Sequence, residues 1–375
     1  MKGLAILPQG LEEQGARELS ELGASNVFPL KRSVSFDADL ACFYRLHLFG
    51  RLAFRYLREL ARFECNSPRS LYLSIQKACD WSKWLDPSLT FKVDVSGSSL
   101  NLTHSHFNAL QVKNAFIDFQ RDKWGKRSCI DIHNPDLNFH LHLNNGRGVL
   151  SLAGSNMSLH KRGYRPAVGI APLKENIAAG LLKISGWDMK SPLVDPLCGS
   201  STFLIEALGM ALGHPPGLHL KYKFNSWYEY EPILWEREYQ SALQSSLNFN
   251  NDLPLIIGSD ISKVMVDNAK QNIIKAGFDD YIKVYNVHFK ELSLPNSKGW
   301  IVCNPPYGKR VGSLNDLSDL YTDLGNYLKG NASGWQLWML SGNPELSRFI
   351  RMKSQKKFPI NNGGIDCRWL KYVIN

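Results

Sequence analysis

The sequence predicts an α/β protein in which two small mixed α/β units precede a doubly wound, mostly parallel sheet. Residues 3–36 begin with a short strand, an amphipathic helix and two further strands. Residues 70–150 hold a second compact pattern of helices and alternating strands. After a stretch containing glycines and prolines at 163–172, short apolar strands alternate with helices up to residue 340. Such strands are typical of parallel sheets that helices cover on both faces.

The chain carries a surplus of positive charge, which lies mostly in its first part. Lys and Arg total 44 against 34 Asp and Glu in 375 residues, for a formal net charge of +10. Residues 1–165 contain 22 basic and 15 acidic side chains, whereas residues 166–375 contain 22 and 19. The surplus favours an anionic partner, although a charge that serves only solubility gives the same totals.

The seven cysteines are scattered singly, without a Cys-x-x-Cys pair. They fit a reducing cytoplasm better than a disulfide framework or a zinc site. The histidines at 104, 106, 133, 140 and 142 have no Cys or carboxylate companion at ligand spacing, so no metal site is expected. The N-terminus lacks the features of a signal peptide, and no run of about 18 apolar residues occurs, so no membrane segment is expected.

Four arginines follow one another at helical spacing. From Leu40 to Arg62 the pattern predicts a helix, and Arg51, Arg55, Arg58 and Arg62 are separated by four, three and four residues. That spacing places the four guanidinium groups along one stripe of a helix. The stripe is either a solvated face beside the apolar core or a set of phosphate contacts.

Two of the predicted parallel strands end in an acidic residue. Asp195 opens a loop of small residues, Asp195–Phe203, that leads directly into a helix and lets a ligand approach the helix start closely. The Gly-Lys-Ser/Thr ending of a phosphate loop is missing there, and so is the G-x-G-x-x-G fingerprint of an NAD-dependent oxidoreductase. Asp260 ends the second strand, where a carboxylate either accepts both hydroxyls of a ribose or caps the next helix through Ser262.

The loop after a further apolar strand reads Asn304-Pro305-Pro306-Tyr307-Gly308. Two consecutive prolines hold the backbone rigid and donate no hydrogen bond, so the Asn304 amide oxygen and the Pro305 carbonyl become neighbouring acceptors. Such a pair suits a planar exocyclic amine, because it turns the lone pair of the amine toward an electrophile. Tyr307 is expected to stack on the base that carries the amine.

These three motifs resemble the cofactor loop, the ribose-binding acid and the amine-methylating motif of S-adenosylmethionine-dependent methyltransferases. Further segments are similar to the ribosomal large subunit methyltransferase L branch, in which a ferredoxin-like segment and a THUMP RNA-binding domain precede the catalytic domain. They are Leu159–Arg165 with Gly169–Glu175, and Pro216–His219 with Ser226 and Trp227. The resemblance covers nearly the whole chain and implies a Rossmann-like class I methyltransferase domain behind the two smaller units.

The resemblance implies a ferredoxin-like segment at residues 1–55, a THUMP domain at 56–155 and a methyltransferase domain at 156–375. The implied activity is methylation of the exocyclic N2 amine of a guanosine in 23S ribosomal RNA, free or in a pre-50S particle, in the cytoplasm. Some members of the family carry a second methyltransferase domain, and none is expected within these 375 residues.

The family motifs also imply roles for individual residues. The catalytic group is Asn304, Pro305, Pro306 and Tyr307. The residues expected to contact S-adenosyl-L-methionine are Asp195, Pro196, Cys198, Gly199, Ser200, Thr202, Asp260, Ile261, His288 and Asn304. The residues expected to contact RNA are Arg51, Arg55, Arg58, Arg62, Arg162 and Arg165. The last two lie at the domain junction, where they either contact RNA or hold the linker.

The sequence departs from the family pattern at two positions. Ser201 stands where the cofactor loop usually has its last glycine, beside the methionine part of the cofactor. His288 stands where an aspartate usually accepts the adenine amine, and a neutral imidazole replaces it only in the right tautomer. Two alternatives stay open: methylation of adenine N6 in RNA or DNA, and a non-catalytic RNA-binding ribosome-assembly protein with a degenerate cofactor site.

Overall fold

A computed structural model describes residues 1–165, 173–247, 252–307 and 314–375. These residues form two seven-stranded sheets, one in the first part of the chain and one in the second. The predicted motif Gly169–Glu175 is described only from residue 173 onward, and Gly308 lies outside the described residues. None of the helices in the four described ranges is long and apolar enough to cross a membrane.

The first sheet joins the two small units predicted from the sequence. Its elements are β1 (Lys2–Ile6), α1 (Glu12–Glu21), β2 (Ser25–Leu30), β3 (Ser33–Asp37), α2 (Leu40–Phe49), β4 (Arg55–Glu64), α3 (Pro68–Lys77), β5 (Phe91–Ser98), α4 (Ser105–Trp124), β6 (Leu137–Asn144) and β7 (Arg147–Ala153). The strand order is β2-β3-β1-β4-β7-β6-β5. Strand β4 pairs with β1 on one side and with β7 on the other, so both units share one continuous sheet.

The prediction of a helix over Leu40–Arg62 is wrong, because the helix ends at Gly50 and a strand follows. The backbone of Gly50 is extended, and a Cβ there would lie 1.9 Å from the Tyr56 hydroxyl, so the chain turns back tightly at this point. Hydrogen bonding of β4 to two neighbouring strands overrides the local helical spacing. Because successive side chains of a strand face opposite ways, Arg55 and Arg58 lie on opposite faces of the sheet. The helical arginine stripe therefore does not exist.

Each of the four arginines is instead engaged within the protein. The partners are the Glu206 carboxylate and the Gly209 carbonyl for Arg51, Asp94 for Arg55, Glu229 for Arg58 and Glu59 for Arg62. Arg62 is the most exposed of the four, with 64% of its side chain accessible, whereas Arg51 is buried. Contact with RNA phosphates stays a prediction for each of these residues, but the four side chains do not form one continuous stripe.

The second sheet is doubly wound and mostly parallel, which confirms the predicted fold class. Its elements are α5 (Glu175–Ser185), β8 (Leu193–Asp195), α6 (Thr202–Ala211), α7 (Pro232–Leu247), β9 (Ile256–Ser259), α8 (Lys263–Ala276), β10 (Ile282–Tyr285), β11 (Trp300–Cys303), α9 (Leu314–Asn331), β12 (Gln336–Ser341), α10 (Pro344–Arg348), β13 (Lys356–Asn362) and β14 (Ile365–Val373). The strand order is β10-β9-β8-β11-β12-β14-β13. Strands β8 to β12 are parallel, whereas β14 and β13 run antiparallel to their neighbours.

The order of the central strands positions the candidate site. Strand β8 lies between β9 and β11, and all three are parallel. Their carboxyl ends therefore meet at one edge of the sheet, which is where open α/β sheets bind ligands. Asp195, Asp260 and Asn304 stand at these three ends.

A buried ionic cluster joins the two sheets. The Glu206 carboxylate on α6 accepts hydrogen bonds from Arg162 Nε at 2.9 Å and from the Tyr164 hydroxyl at 3.1 Å, and Arg51 Nη1 lies 3.6 Å away. Arg162 Nη2 also donates to the Arg51 carbonyl at 2.7 Å, and Arg51 Nη2 to the Gly209 carbonyl at 2.7 Å. The cluster thus connects the loop before β4, the linker at residues 162–165 and a helix of the second sheet.

Replacing the Glu206 carboxylate should destabilise the whole protein. Glu206→Gln leaves two buried guanidinium groups without their counter-ion, and breaking a buried ion pair in this way costs about 3–5 kcal/mol. Urea unfolding measures the change, with Glu236→Gln on the exposed side of α7 as the control, expected to change the free energy of unfolding by less than about 0.5 kcal/mol. Equal effects of the two variants would contradict the role given to the cluster.

Candidate active site

The loop after β8 is tied to the neighbouring strand by backbone hydrogen bonds. Cys198 N–H donates to the Ser259 carbonyl at 2.9 Å, and the Ser259 hydroxyl donates to the Pro196 carbonyl at 3.2 Å. Asp195 is buried beneath the loop and accepts a hydrogen bond from Leu197 N–H at 3.1 Å. Burial, together with the charge of Asp260, raises the pKa of Asp195 well above its usual range. These hydrogen bonds fix the position of the loop at the carboxyl end of β8.

The Asp260 carboxylate joins this loop to the start of α8. Its Oδ2 accepts a hydrogen bond from Gly199 N–H at 3.0 Å, and its Oδ1 accepts one from Ser262 N–H at 2.9 Å. The Ser262 hydroxyl in turn caps α8 by accepting from Met265 N–H. The carboxylate thus stabilises the start of the helix region. Each of its oxygens keeps a further lone pair, so contact with ribose hydroxyls stays a prediction.

The residues after Asp260 place an apolar side chain at the same edge. Ile261 is 68% exposed, and the Asn286 side-chain amide donates to the carbonyls of both Asp260 and Ile261 at 3.0 Å. Asn286 is not among the predicted site residues. Its position two residues before His288, which is predicted, is the one feature of the sequence that could have indicated it. The held backbone makes Ile261 a suitable apolar surface for a flat ring.

His288 has a different hydrogen-bonding role from the one that the sequence led us to expect. Its Nδ1 accepts a hydrogen bond from Lys290 N–H at 3.2 Å. In a neutral imidazole with an accepting Nδ1, the proton is on Nε2, so the free nitrogen is a donor. Such a donor pairs with a ring nitrogen of adenine rather than with its exocyclic amine.

Ser201 adopts the backbone conformation that explains the glycine usual at this position. Its φ is +62° and its ψ is +29°, in the left-handed region, and the residue is fully buried. A side chain in that region costs about 1–2 kcal/mol relative to glycine. Ser201 is also the N-cap of α6, and its side chain makes no capping hydrogen bond. The serine is accommodated, but the first turn of α6 keeps an uncapped, positive end.

The loop after β11 presents a hydrogen-bond acceptor that is buried and unused. Asn304 Oδ1 accepts no hydrogen bond from the described part of the chain and is shielded from solvent. Pro305 is buried, and the Pro306 carbonyl accepts a hydrogen bond from the Tyr321 hydroxyl at 3.3 Å. A buried acceptor without a donor costs about 1–3 kcal/mol, so the loop stands ready for an N–H group of a ligand.

The Tyr307 hydroxyl is held by residues of β13 and β14. Asn362 Nδ2 on β13 donates to its hydroxyl at 3.0 Å, and Cys367 Sγ on β14 lies 3.6 Å from the same oxygen. A Cβ at Gly342 would lie 2.5 Å from the Tyr307 ring, so the ring rests directly on backbone. Burial raises the pKa of Tyr307, which keeps the hydroxyl neutral. Stacking of this ring on a base stays a prediction.

The two arginines of the linker hold the linker. Arg162 belongs to the ionic cluster at Glu206, and Arg165 contacts the Thr202 hydroxyl and donates to the Leu173 carbonyl at 2.9 Å. Both side chains are buried. Of the two roles considered from the sequence, the geometry supports the structural one; RNA contact by these residues stays a prediction.

Comparison with known families assigns all three parts of the chain. Residues 3–57 match the RlmL ferredoxin-like domain, residues 74–153 the THUMP domain, and residues 162–371 the RMKL-like methyltransferase domain. The chain belongs to the RMKL-like methyltransferase family. Relatives named as RNA methyltransferases match nearly the full length of this chain.

Two relatives differ in how much of them the chain covers. A Synechocystis protein named "Putative RNA methyltransferase" is 40% identical over 99% of this chain and 96% of its own length. The ribosomal RNA large subunit methyltransferase K/L of Hydrogenovibrio crunogenus is 36% identical over 99% of this chain but only 52% of its own length. The chain thus spans about half the length of the K/L relatives.

Solved structures match the fold over the whole chain. One is described as a possible methylase from Clostridium difficile, with a TM-score of 0.90 and 24% identity over 100% of this chain and 98% of that one. Another is described as a predicted N6-adenine-specific DNA methylase from Listeria monocytogenes, with a TM-score of 0.88 and 25% identity over 100% and 96%. The Rossmann-like methyltransferase fold is confirmed.

S-adenosylmethionine is the cofactor of this RMKL-like methyltransferase, and the residues present fit it. The Asp260 carboxylate suits ribose hydroxyls, and Ile261 offers an apolar surface beside it. At the other end of the loop, the uncapped start of α6 suits a carboxylate. Within the described ranges, no group of three His, Cys, Asp or Glu side chains is placed to hold a metal ion.

Substitution of Ser201 tests the strain in the cofactor loop. Ser201→Gly should raise the free energy of unfolding by about 0.5–1 kcal/mol, because glycine adopts a positive φ without a steric penalty. Ser200→Gly is the matched control: that residue has no positive φ, and the substitution should lower stability by about 0.5–1 kcal/mol. Urea unfolding measures both, and a destabilised Ser201→Gly variant would show that the serine side chain, not the backbone, decides this position.

Proposed function

We propose that this chain transfers a methyl group from S-adenosylmethionine to the exocyclic N2 amine of a guanosine in 23S ribosomal RNA, free or within an assembling large subunit. The observation that carries the proposal is the buried Asn304 Oδ1, which has no donor among the residues that the structure describes and lies in a loop made rigid by Pro305 and Pro306. An aromatic amine offers two N–H groups, one for Asn304 Oδ1 and one for the neighbouring Pro305 carbonyl.

The work of the protein in this reaction is positioning. Bound S-adenosylmethionine supplies an electrophilic sulfonium methyl group. Asn304 Oδ1 and the Pro305 carbonyl each accept one N–H of the base amine, which directs the nitrogen lone pair away from both acceptors and toward that methyl group. As the nitrogen becomes tetrahedral and gains positive charge, both hydrogen bonds strengthen, and its extra proton then leaves to water. Tyr307 supports the base from the side of β13 and β14.

RNA is the substrate class that the rest of the chain supports. A THUMP domain precedes the methyltransferase domain, and the K/L relatives are named ribosomal RNA methyltransferases. Residues 1–165 also hold 22 basic against 15 acidic side chains, a surplus that fits phosphate contact. The cytoplasm is the compartment in which such a substrate occurs.

Adenine N6 is the second candidate, because an acceptor pair of this kind serves any aromatic amine and one structural neighbour is described as an adenine-specific methylase. Mass spectrometry of nucleosides from ribosomal RNA separates the two candidates. A strain lacking the gene should lose one N2-methylguanosine and regain it when the gene is restored. Loss of N6-methyladenosine instead would replace the guanosine proposal by the adenine one.

Removal of the Asn304 amide should abolish methyl transfer while RNA binding stays nearly intact, and it should weaken cofactor binding far less than it slows transfer, because Asn304 is one of the ten residues expected to contact the cofactor. Asn304→Ala deletes one of two acceptors and should lower kcat at least about 100-fold, a loss typical of removing one positioned hydrogen-bonding group from an active site. Asn315→Ala, at an exposed position on α9, is the control and should keep the wild-type rate. Transfer of the labelled methyl group to ribosomal RNA gives kcat, and calorimetry with S-adenosylhomocysteine gives binding.

Two results of that experiment would overturn parts of the proposal. Near wild-type methyl transfer by Asn304→Ala would show that the loop does not hold the amine through Asn304. Absence of cofactor binding by the wild-type chain at millimolar concentration would favour the non-catalytic RNA-binding protein considered from the sequence.

Displacement of Tyr307 should also slow the reaction. Gly342→Ala places a methyl group 2.5 Å from the Tyr307 ring and must move it, and a shift of about 1 Å in an active site costs up to about 100-fold in rate. We expect at least a tenfold (about 1.4 kcal/mol) fall in kcat. Gly330→Ala near the end of α9 has open space around its Cβ and serves as the matched control. Equal kcat values for the two variants would show that the position of Tyr307 does not affect the reaction.

A further inference from the structure

A cavity of about 520 Å³ lies where the first sheet, the linker and the methyltransferase domain meet. Arg51 of the loop before β4 and Gly163 of the linker line one side, and α6, the segment after it and the end of α8 line the other. Helix α8 ends at Ala276, before the parallel strand β10, so the cavity lies toward the edge of the sheet where the strands begin. None of the residues expected to contact the cofactor or the base is among its described lining residues. The cavity is therefore separate from the candidate active site.

The lining of the cavity carries more positive than negative charge. Its described residues include three cationic side chains, Arg51, Arg162 and Lys275, and one carboxylate, Glu206, which leaves a net charge of +2 with the histidines neutral. The Glu206 carboxylate already accepts hydrogen bonds from Arg162 and from the Tyr164 hydroxyl. The surplus charge therefore favours an anionic ligand.

Two of the cationic groups have donors that the protein does not use. Arg51 Nη2 donates to the carbonyls of Gly209 and His214, whereas Nη1 makes no hydrogen bond to any residue that the structure describes and lies 3.6 Å from Glu206 Oε2. Lys275 is exposed at the mouth of the cavity and forms no ion pair within the described ranges. A guanidinium and an ammonium group are thus both available to one ligand.

The imidazole of His214 reports the same positive potential. Burial lowers the pKa of His214 to about 4, and the charges of Arg51 and His219 lower it further, against the opposite effect of Glu206. The His214 ring is therefore neutral at neutral pH, because a second positive charge is unfavourable at this position.

The rest of the lining is apolar and partly aromatic. The rings of His214 and Phe278 pack edge to face with their centroids 5.6 Å apart, and both line the cavity. Ile205, Pro215 and Pro216 are buried beside them. An apolar wall with a few convergent charged groups is typical of a site for a small organic ligand, and the volume lies in the usual range of about 300–1,000 Å³.

We propose that this cavity binds a nucleoside monophosphate, with the phosphate at Arg51 and Lys275 and the base against the apolar wall at Phe278. A phosphate monoester carries a charge of about −1.5 to −2 at pH 7, which matches the net charge of the lining, whereas each phosphodiester of an RNA chain carries about −1. The match therefore favours a free mononucleotide over an internal nucleotide of RNA. This site is additional to the proposed methyl transfer and does not depend on it.

The NMR signal of the His214 imidazole in the histidine-labelled chain tests the proposal, because it reports binding in the cavity and not at Asn304. Titration with guanosine 5′-monophosphate should shift this signal to saturation. Guanosine and inorganic phosphate, titrated separately, should each bind at least about tenfold more weakly, since charge-assisted hydrogen bonds and contacts with the base both contribute.

Variants of the lining locate the phosphate. The double variant Lys275→Gln, His219→Gln changes two exposed side chains of the cavity and should weaken binding of the mononucleotide at least about threefold. Lys270→Gln, an exposed lysine on the same helix that is outside the cavity, should keep the wild-type affinity. Arg51→Gln should weaken binding at least about tenfold. Should Arg51→Gln lose its cooperative thermal unfolding, the double variant decides.

Several results would overturn the mononucleotide site without touching the proposed methyl transfer. An unchanged His214 signal, or a double variant that binds as tightly as Lys270→Gln, would show that the cavity does not hold the phosphate. Equal affinities for the mononucleotide and guanosine would remove the role of the charge, and equal affinities for the mononucleotide and inorganic phosphate would remove the role of the apolar wall. A single-stranded RNA of ten nucleotides without a terminal phosphate should not displace the mononucleotide; displacement would assign the cavity to an RNA chain instead.

Discussion

The buried carboxylate of Glu206 is the interaction on which the arrangement of the protein depends. It lies on helix α6, beside the second sheet, between Arg162 of the linker and Arg51 of the loop before β4. Because a buried guanidinium without a counter-ion is strongly unfavourable, these three parts are stable only together. Helix α6 begins one turn before Glu206, at Thr202, where Arg165 of the same linker makes contact. The ion cluster that joins the domains therefore also sets the position of the cofactor loop.

A second connection reaches the other half of the site. The Gln9 carbonyl accepts a hydrogen bond from Asn361 N–H on β13 at 3.0 Å, and a Cβ at Gly10 would lie 2.3 Å from the Pro359 carbonyl oxygen. The residue after Asn361 holds the Tyr307 hydroxyl. The first unit thus touches the segment that supports the amine-binding loop, as well as the helix that supports the cofactor loop. The first unit of the chain therefore supports both loops of the candidate site.

The parallel sheet was predictable because its signal is local in sequence, and so was the position of three polar residues at the ends of its strands. Asp195, Asp260 and Asn304 each come at the end of a short apolar strand, and that pattern can be recognised within a few residues of the sequence. The predicted helix over Leu40–Arg62 failed because helical spacing of polar residues does not exclude a strand, and pairing with β1 and β7 is invisible locally. The hairpin of β13 and β14 and the contact of Asn362 with Tyr307, 55 residues apart, likewise depend on tertiary packing. The tautomer of His288 follows from a hydrogen bond that only the structure contains.

Three of the local costs in the structure lie at or beside the candidate site. Ser201 lies in a left-handed conformation. Within the described residues, Asn304 Oδ1 is a buried acceptor without a donor, and Arg165 Nε is a buried donor without an acceptor. Each costs on the order of 1–3 kcal/mol in the free protein, and a fold selected for stability alone would remove them. A ligand N–H group at Asn304 Oδ1, as proposed for the substrate amine, would relieve the cost of that acceptor. The unused acceptor of Asn304 therefore fits the amine of the proposed substrate.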